Sequence, residues 1–523
     1  MTKTADPIAA RLSLEDWAES SPNAVAIIDG ADRITWSDWN RRADALADAL
    51  GTRGVKPGDV IALRTTTRWE WLVAYYASAK LGARVLGINW RLGPSEIEFI
   101  LSDSSAKALI FDDEQADLLV ASARASGVAV LVSVGANCPG AEPFAALTAA
   151  SAPAHRRAPK AAPLLLYTSG TTGRPKGVQT MTPASEDAAR RLPAYQQSIE
   201  SAVPRSRDDV LLLTMPVHHA AGPSLVRSCV GLGNTIIIMR RFDAAGAVEL
   251  IERHRVSYWS CVPTMVRRIS ALDPALLAKE RFASLRAMMI GGSPVPAALK
   301  TWIVEHIGDG ILHESYGSTE TSLLTHLHPD FVLTKLGSSG RPYDNADLSI
   351  RLPDGLPAPT GVSGEIWGRT PVTIGSYINE PQLGPETLDS AGFFRTGDIG
   401  HLDEDGFLFI TGRAKDMIIS GGVNLYPAEI EAAILRHPAV HDAAVIGIPD
   451  EEFGESVLAI CELEDGASAT AEDILRCART SIASYKMPRV VRIVEELPRN
   501  TMGKILKAQL RAPYWEGRST NIV

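Results

Sequence analysis

The stretch Tyr167-Thr168-Ser169-Gly170-Thr171-Thr172-Gly173-Arg174-Pro175-Lys176-Gly177-Val178 decides how the chain is read. It follows the apolar run Leu164-Leu165-Leu166, so a buried strand empties into a loop dense in glycine, hydroxyl groups and positive charge. Such a loop can fold backbone N–H groups around an anion, because glycine tolerates unusual dihedrals while Thr and Ser hydroxyls add donors. Phosphate is the obvious guest. The P-loop of nucleotide hydrolases needs a glycine just before its lysine and Ser or Thr just after. Here Pro175 precedes Lys176 and Gly177 follows it, so the loop is of another kind. Taken alone, a solvated connection rich in glycine and threonine explains it equally well.

Outward from the loop, apolar runs alternate with helical patterns. Val60-Ile61-Ala62-Leu63, Val85-Leu86-Gly87-Ile88 and Ala108-Leu109-Ile110-Phe111 read as strands, with a helix over about Trp69 to Leu81. After the loop come Val210 to Leu213, Thr235 to Met239, Val256 to Cys261, Ala287 to Ile290 and Ile311-Leu312. This alternation predicts a layered α/β fold, in which ligands gather beyond the carboxyl ends of strands. Several of those ends are chemically dense: Pro216-Val217-His218-His219-Ala220-Ala221-Gly222, Gly291-Gly292-Ser293-Pro294, and Glu314-Ser315-Tyr316-Gly317-Ser318-Thr319-Glu320.

Past Gly340 the runs become shorter and β-like, Gly364 to Trp367 and Gly406 to Ile410, with Thr396-Gly397-Asp398 between them reading as a turn. The charged knot Gly412 to Asp416 marks a boundary. Beyond it a small α+β unit is expected, with helices at Glu429 to Leu435 and Ala471 to Ile482. Its strands are expected at Val440 to Ile448, Val457 to Glu462 and Val490 to Val494.

At 523 residues the chain exceeds one ordinary core. A net charge of −9 argues against binding nucleic acid through bulk electrostatics, so the ligand should be small. The five cysteines are scattered and never form a CxxC pair, which fits reduced thiols in the cytoplasm better than a disulfide framework or zinc site. The start of the chain lacks the apolar core of a signal peptide, and no segment is long and uncharged enough for membrane insertion.

Five motifs stand in fixed order: the loop at Tyr167 to Val178, Tyr316-Gly317-Ser318-Thr319-Glu320, Thr396-Gly397-Asp398, Gly412-Arg413-Ala414-Lys415-Asp416, and Pro498-Arg499-Asn500-Thr501-Met502-Gly503-Lys504. So ordered, they closely resemble the adenylate-forming superfamily of acyl-CoA synthetases, peptide-synthetase adenylation domains and beetle luciferases, over about Trp36 to Leu510. The resemblance implies a large N-terminal domain at 1–413, with layered α/β sheets and a small β-rich subdomain. A hinge at 414–416 and a small mobile α+β domain at 417–523 would follow. Thr168, Ser169, Gly170, Thr171, Thr172 and Lys176 would handle the β- and γ-phosphates of ATP. Thr319 would meet the α-phosphate, and Glu320 would hold Mg²⁺.

Gly291, Gly292 and Ser293 would pack against adenine, with Tyr316 stacking opposite and Ser315, Gly317 and Ser318 completing the nucleotide cradle. Asp398 would accept from the ribose hydroxyls, assisted by Arg413, and Lys504 would bridge the acid and the α-phosphate. His219 matches the histidine beside the substrate carboxylate, with His218 where Phe or Tyr is usual. Lys415 would be the hinge residue, and Gly421 and Gly422 would line the passage of the coenzyme A thiol. The implied activity is an ATP-dependent carboxylic acid:CoA ligase that forms an acyl-adenylate and then a thioester. The alternative is a stand-alone adenylating enzyme that loads a carrier protein or a non-thiol nucleophile. No acidic residue near His219 awaits an ammonium, which disfavours amino acids. Ala220, Ala221, Ser224 and Trp259 suggest a compact aryl, alicyclic or medium-chain acid. A second copy of the chain, as a homodimer, is the remaining candidate partner, which the sequence neither requires nor forbids.

Overall fold

The computed structural model describes residues 11–516 apart from 113–115, 136–137, 150–162, 169–174, 181, 294, 421–422, 451–452 and 501–502. Strands that read as nearly continuous apolar runs need cover on both faces, and helices supply it here. Among the described residues the largest sheet has nine strands. Its parallel heart runs in space through Leu312–Ser318, Ala287–Gly291, Tyr258–Cys261, Val210–Leu213, Thr235–Ile238 and Val25–Asp29. A second, seven-stranded sheet carries Ala106–Phe111, Val60–Arg64, Arg84–Gly87 and Leu164–Thr168 side by side and parallel, with Lys176–Gln179 antiparallel at its edge.

Helices Trp36–Thr52 and Trp69–Leu81 share one core with both sheets: Trp39, Leu46, Trp71 and Tyr75 pack with Ile61 and Leu63 of the second sheet and Leu212 and Ile237 of the first. The second helix is buried around nearly its whole circumference, as a helix covered on all sides must be apolar all round. Along Val60–Arg64 the faces alternate: Ile61 and Leu63 join this core, while Val60 and Ala62 join another on the opposite side, the two-residue period of a strand.

A four-stranded antiparallel sheet follows, Asp347–Arg351, Gly364–Arg369, Phe394–Leu402 and Leu408–Arg413. Here the structure corrects one reading. Thr396-Gly397-Asp398 lies within the third strand, as a bulge. Glu365 pairs with Ile399 and Trp367 with Arg395, so three residues stand opposite Ile366. Gly397 takes φ +73° and the Thr396 hydroxyl donates to Ile366 O at 2.7 Å. Such a bulge re-aims a side chain, and the one re-aimed is Asp398.

The smaller C-terminal lobe has its own sheet and cores. Val440–Asp450 and Gly454–Leu463 form its spine, with Val490–Val494 parallel beside the latter. Ala443, Val445 and Ala459 face helices Pro427–Ile434 and Ala471–Ala478, whereas Ala444, Ile446 and Leu458 face the final helix Lys507–Trp515. The second of these helices stops four residues short of expectation, because the Thr480 and Ser481 hydroxyls bond back to Cys477 O and Ala478 O. Among the described residues no helix is long and apolar enough to cross a membrane.

Candidate active site

Thr168 and Lys176 face each other across the antiparallel pair that ends the second sheet, so both feet of the glycine-rich loop are anchored side by side. Ser169, Gly170, Thr171 and Thr172 lie outside the described residues. Lys176 Nζ reaches Glu380 Oε2 at 2.9 Å and stands 4.8 Å over the ring of Tyr377. The Tyr377 hydroxyl in turn donates to Glu320 Oε1 at 3.3 Å. Two backbone bonds fasten this group, Ile378 N to Gly177 O at 2.8 Å and Ile374 N to Glu320 O at 3.0 Å. Tyr377 therefore ties the loop lysine to the carboxylate singled out for Mg²⁺. Among the described residues no group of three or more His, Cys, Asp or Glu could hold a metal. A lone carboxylate still fits Mg²⁺, which takes one or two carboxylates and leaves its other positions to phosphate oxygens and water.

Glu320 sits on a hairpin turn: Ser318 pairs with Ser322, leaving Thr319, Glu320 and Thr321 to close the bend. Ser318 and Thr321 brace it with mutual side-chain bonds, and the Thr370 hydroxyl donates to Thr321 O at 2.6 Å. The same strand presents Ser315, whose hydroxyl meets Tyr343 Oη at 2.8 Å, with Gly291 beside it in parallel register. Gly292 and Ser293 follow at the neighbouring strand's end. Tyr316, next along, donates its hydroxyl to Asp398 Oδ2 at 2.8 Å. Asp398 stands opposite Arg413 in the bulged sheet and takes its Nε on Oδ1 at 2.8 Å. Each carboxylate oxygen keeps a lone pair for a further donor.

Lys504 comes to this group from the C-terminal lobe. Arg499 and Ile505 bridge, Asn500 N donates to Lys504 O and Lys504 N to Asn500 Oδ1, each at 2.9 Å, so a tight hairpin presents the lysine. Gly503 makes that approach feasible. Its φ is +72°, and a Cβ there would lie 2.2 Å from Thr264 Oγ1 of the large domain. Burial, and then the charge of Arg413, pull the Lys504 ammonium down to about 8, against the opposing pull of Asp398 and Asp416. Gly421 and Gly422 lie outside the described residues. Lys415 is in the short 3-10 turn Ala414–Asp416 between the lobes.

His218 and His219 turn at the end of Val210–Leu213, their rings 4.7 Å apart. Burial pushes His219 down to about 4 and His218 well below its ordinary value, with the neighbouring ring's charge adding to the effect on His218. Both are neutral at pH 7, and among the described residues the buried Nε2 of His218 has no hydrogen-bond partner. Ala220 and Ala221 are half-buried beside them. Trp259 departs from the expected pocket wall: it is fully buried, and its indole N–H donates to Thr214 Oγ1 at 3.0 Å, which makes it core. Ser224 is exposed beside Arg227.

The structure thus brings together Lys176, Glu320, Tyr316, Asp398, Arg413 and Lys504, in two groups that share one hairpin. Sequence reading missed Tyr377 and Glu380. A lone aromatic and a lone acid in a turn-rich stretch give no local sign of a lysine 204 positions earlier.

Comparison with known proteins agrees with this layout. Residues 14–378 match the family model described as AMP-binding enzyme, and residues 429–504 match the one described as AMP-binding enzyme C-terminal domain. The chain is 35% identical over 508 residues to the long-chain-fatty-acid–CoA ligase FadD13 of Mycobacterium tuberculosis, covering 96% of this chain and 97% of that one. It is 35% identical over 508 residues to a 2-succinylbenzoate–CoA ligase of Geobacillus kaustophilus, covering 95% and 96%. Among solved structures, ATP-bound MatB from Rhodopseudomonas palustris superposes with a TM-score of 0.84 at 30% identity, covering 97% of this chain and 99% of that one. With a family match spanning most of the large domain and relatives aligned from end to end, the chain belongs to the AMP-binding enzyme family.

Proposed function

We propose that this protein is an ATP-dependent carboxylic acid:CoA ligase. In the first step a carboxylate oxygen attacks the α-phosphorus of ATP and pyrophosphate leaves, giving an acyl-adenylate. In the second, the coenzyme A thiol loses its proton, sulfur attacks the acyl carbonyl, and AMP leaves. The observation that carries this reading is Lys504, half-buried beside Asp398 and Arg413 although it comes from the other lobe.

A carboxylic acid is already ionised at pH 7, so the first step needs no general base. What it needs is positioning and preorganised positive charge, because an anion must approach a polyanion and more charge develops as the bond to pyrophosphate breaks. Lys504 supplies charge where the new bond forms, and Lys176 where the old one breaks. Mg²⁺, when bound by Glu320 and the phosphates, shields the departing charge. Thr168 and the loop residues Ser169 to Thr172 hold the β- and γ-phosphates, and Thr319 the α-phosphate. Asp398 accepts the ribose hydroxyls while Tyr316 and Arg413 hold it in place. His219, neutral above about pH 4, orients the substrate carboxylate with an N–H bond and not with charge.

For the second step the C-terminal lobe turns about Lys415, withdraws Lys504 and brings Gly421 and Gly422 to the thiol's passage. The acid is an aryl, alicyclic or medium-chain one, in keeping with Ala220 and Ala221 beside neutral histidines. The names of the relatives span aliphatic and aryl acids, so thioester formation is the shared chemistry and the acid is the variable. The reaction takes place in the cytoplasm, where the free cysteines, four of them buried, stay reduced.

The test is a panel of carboxylic acids scored for acid-dependent exchange of pyrophosphate into ATP, and for AMP release with and without CoA. Exchange together with CoA-dependent AMP release is the expected result. Exchange without CoA dependence, or AMP release driven by an amine, overturns the thioester assignment.

A further inference from the structure

The C-terminal lobe meets the helix Pro263–Ser270 of the large domain at Thr264 and at Arg267. Near its start Thr264 receives Gly503, the neighbour of Lys504. One turn later Arg267 Nη1 reaches Asp442 Oδ1 at 2.8 Å and donates to His441 O at 2.9 Å. Met265, Val266 and Ile269 of the same helix are buried in the main core, so the helix is a fixed platform and Arg267 starts from a fixed base.

Asp442 is nearly buried, at 7% exposure, and stands between two arginines. Its Oδ2 takes Arg499 Nη1 at 2.7 Å, while Arg499 Nη2 reaches Glu462 Oε2 at 3.0 Å. Arg499 opens the hairpin that carries Lys504. The two bonds to Asp442 therefore differ in kind. Arg499–Asp442 lies within the lobe and travels with it, whereas Arg267–Asp442 crosses between the domains and exists only while the lobe rests on this helix. Burial opposes the Asp442 charge, and Arg267 and Arg499 together more than offset that, holding its carboxyl below the usual range.

We propose that Arg267 is a positioning residue for adenylation, a latch that holds the C-terminal lobe with Lys504 at the site and is released for thioester formation. This rests on the two-step reading above. The arrangement suits a reversible latch. When Arg267 lets go, Asp442 keeps Arg499, so the opened lobe carries no uncompensated buried charge. With both contacts in place, the Arg499 hairpin is fixed at its base by Asp442 and at its tip by Thr264.

The test compares Arg267→Ala, Arg267→Lys and wild type in the two half-reactions. With an acid from the panel, Arg267→Ala should lower kcat for pyrophosphate exchange by about tenfold to a hundredfold, as for losing one partner of a nearly buried ion pair. It should leave unchanged, or speed, thioester formation from supplied acyl-adenylate. Arg267→Lys, which keeps the charge, should restore part of the exchange. Wild-type exchange in Arg267→Ala, or an equal fall in both half-reactions, overturns the latch. Hydrogen exchange of the ligand-free protein gives a reading that needs no acid: Arg267→Ala should raise amide exchange in peptides spanning 499–506 and 263–270, with the sheet cores unchanged. If wild type shows no acid-dependent exchange, the ligase reading fails, and unchanged amide exchange in Arg267→Ala then overturns the latch independently.

Discussion

Lys176, Tyr377 and Glu320 are held by the large domain alone, whereas Lys504, which feels the charges of Asp398 and Arg413, stands on a hairpin of the C-terminal lobe that meets Thr264. The first group is stitched by backbone bonds at Gly177 and Glu320. The second draws on both lobes, with Arg267 and Thr264 of the large domain meeting Asp442 and Gly503 of the smaller one. A site so divided would keep the Lys176 group fixed while making the Lys504 charge removable, as the two proposed steps need.

The hardest blow to this contrast falls on the strand that both groups share. Lys300 and Glu314 are buried and meet at 2.6 Å, with Lys300 also donating to Ser338 O and the Ser339 hydroxyl donating to Glu314. Lys300→Met strands the carboxylate under Leu312–Ser318 and should cost about 3–5 kcal/mol of stability, read by denaturant unfolding. Exchange and thioester formation should fall together, since Tyr316 and Glu320 both hang from that hairpin. Unchanged stability would mean the strand is held by its sheet neighbours alone.

Lys504→Ala separates the halves. Removing one preorganised charge should lower exchange by about 10²- to 10³-fold while sparing thioester formation from supplied adenylate. Loss of both would place the lysine in the common scaffold and dissolve the distinction.

A titration sharpens it further. The Lys504 ammonium lies at about 8 in the free enzyme because burial and Arg413 disfavour its charge. It is charged below that pH and neutral above, so kcat/KM for adenylation should fall above about pH 8, toward tenfold per pH unit. The fall in kcat should come at higher pH, since bound anions favour the ammonium. With His219 at about 4, no acid limb is expected near 6.5. An alkaline limb that persists in Lys504→Ala would assign it to another group.

The smallest effect belongs to the stitched half. Tyr377→Phe keeps the ring under Lys176 and loses only the hydroxyl's bond to Glu320. Exchange should drop by roughly twofold to tenfold, the worth of one such bond, with a weaker apparent affinity for Mg²⁺. A much larger loss would show that the hydroxyl does more than orient the carboxylate.

Much of this was legible along the chain. Continuous apolar runs in Val440–Asp450 and Gly454–Leu463 announce the C-terminal sheet, because a strand buried on both faces is written in consecutive residues whatever packs against it. The order of the five motifs points to the candidate nucleotide-site residues and to a division between two domains in the same way. Thr396-Gly397-Asp398 misleads for the opposite reason. Its composition is that of a turn, yet pairing with Gly364–Arg369 on one side and Leu408–Arg413 on the other makes it a bulge inside a strand. Trp259 looked like a pocket wall until Thr214 claimed its indole.

The sequence by itself determined the layered architecture, the two-domain division and the family, and it singled out Lys176, Glu320, Asp398, Arg413 and Lys504 as candidates, since each is written in short-range pattern or in motif order. Only the tertiary structure decided that Tyr377 joins Lys176 to Glu320, that Asp398 faces Arg413 from a bulge, and that Arg267 meets Asp442, 175 positions later, in a nearly buried ion pair. These contacts arise when distant segments pack together, and a single aromatic, acid or arginine carries no local mark of the partner it will meet.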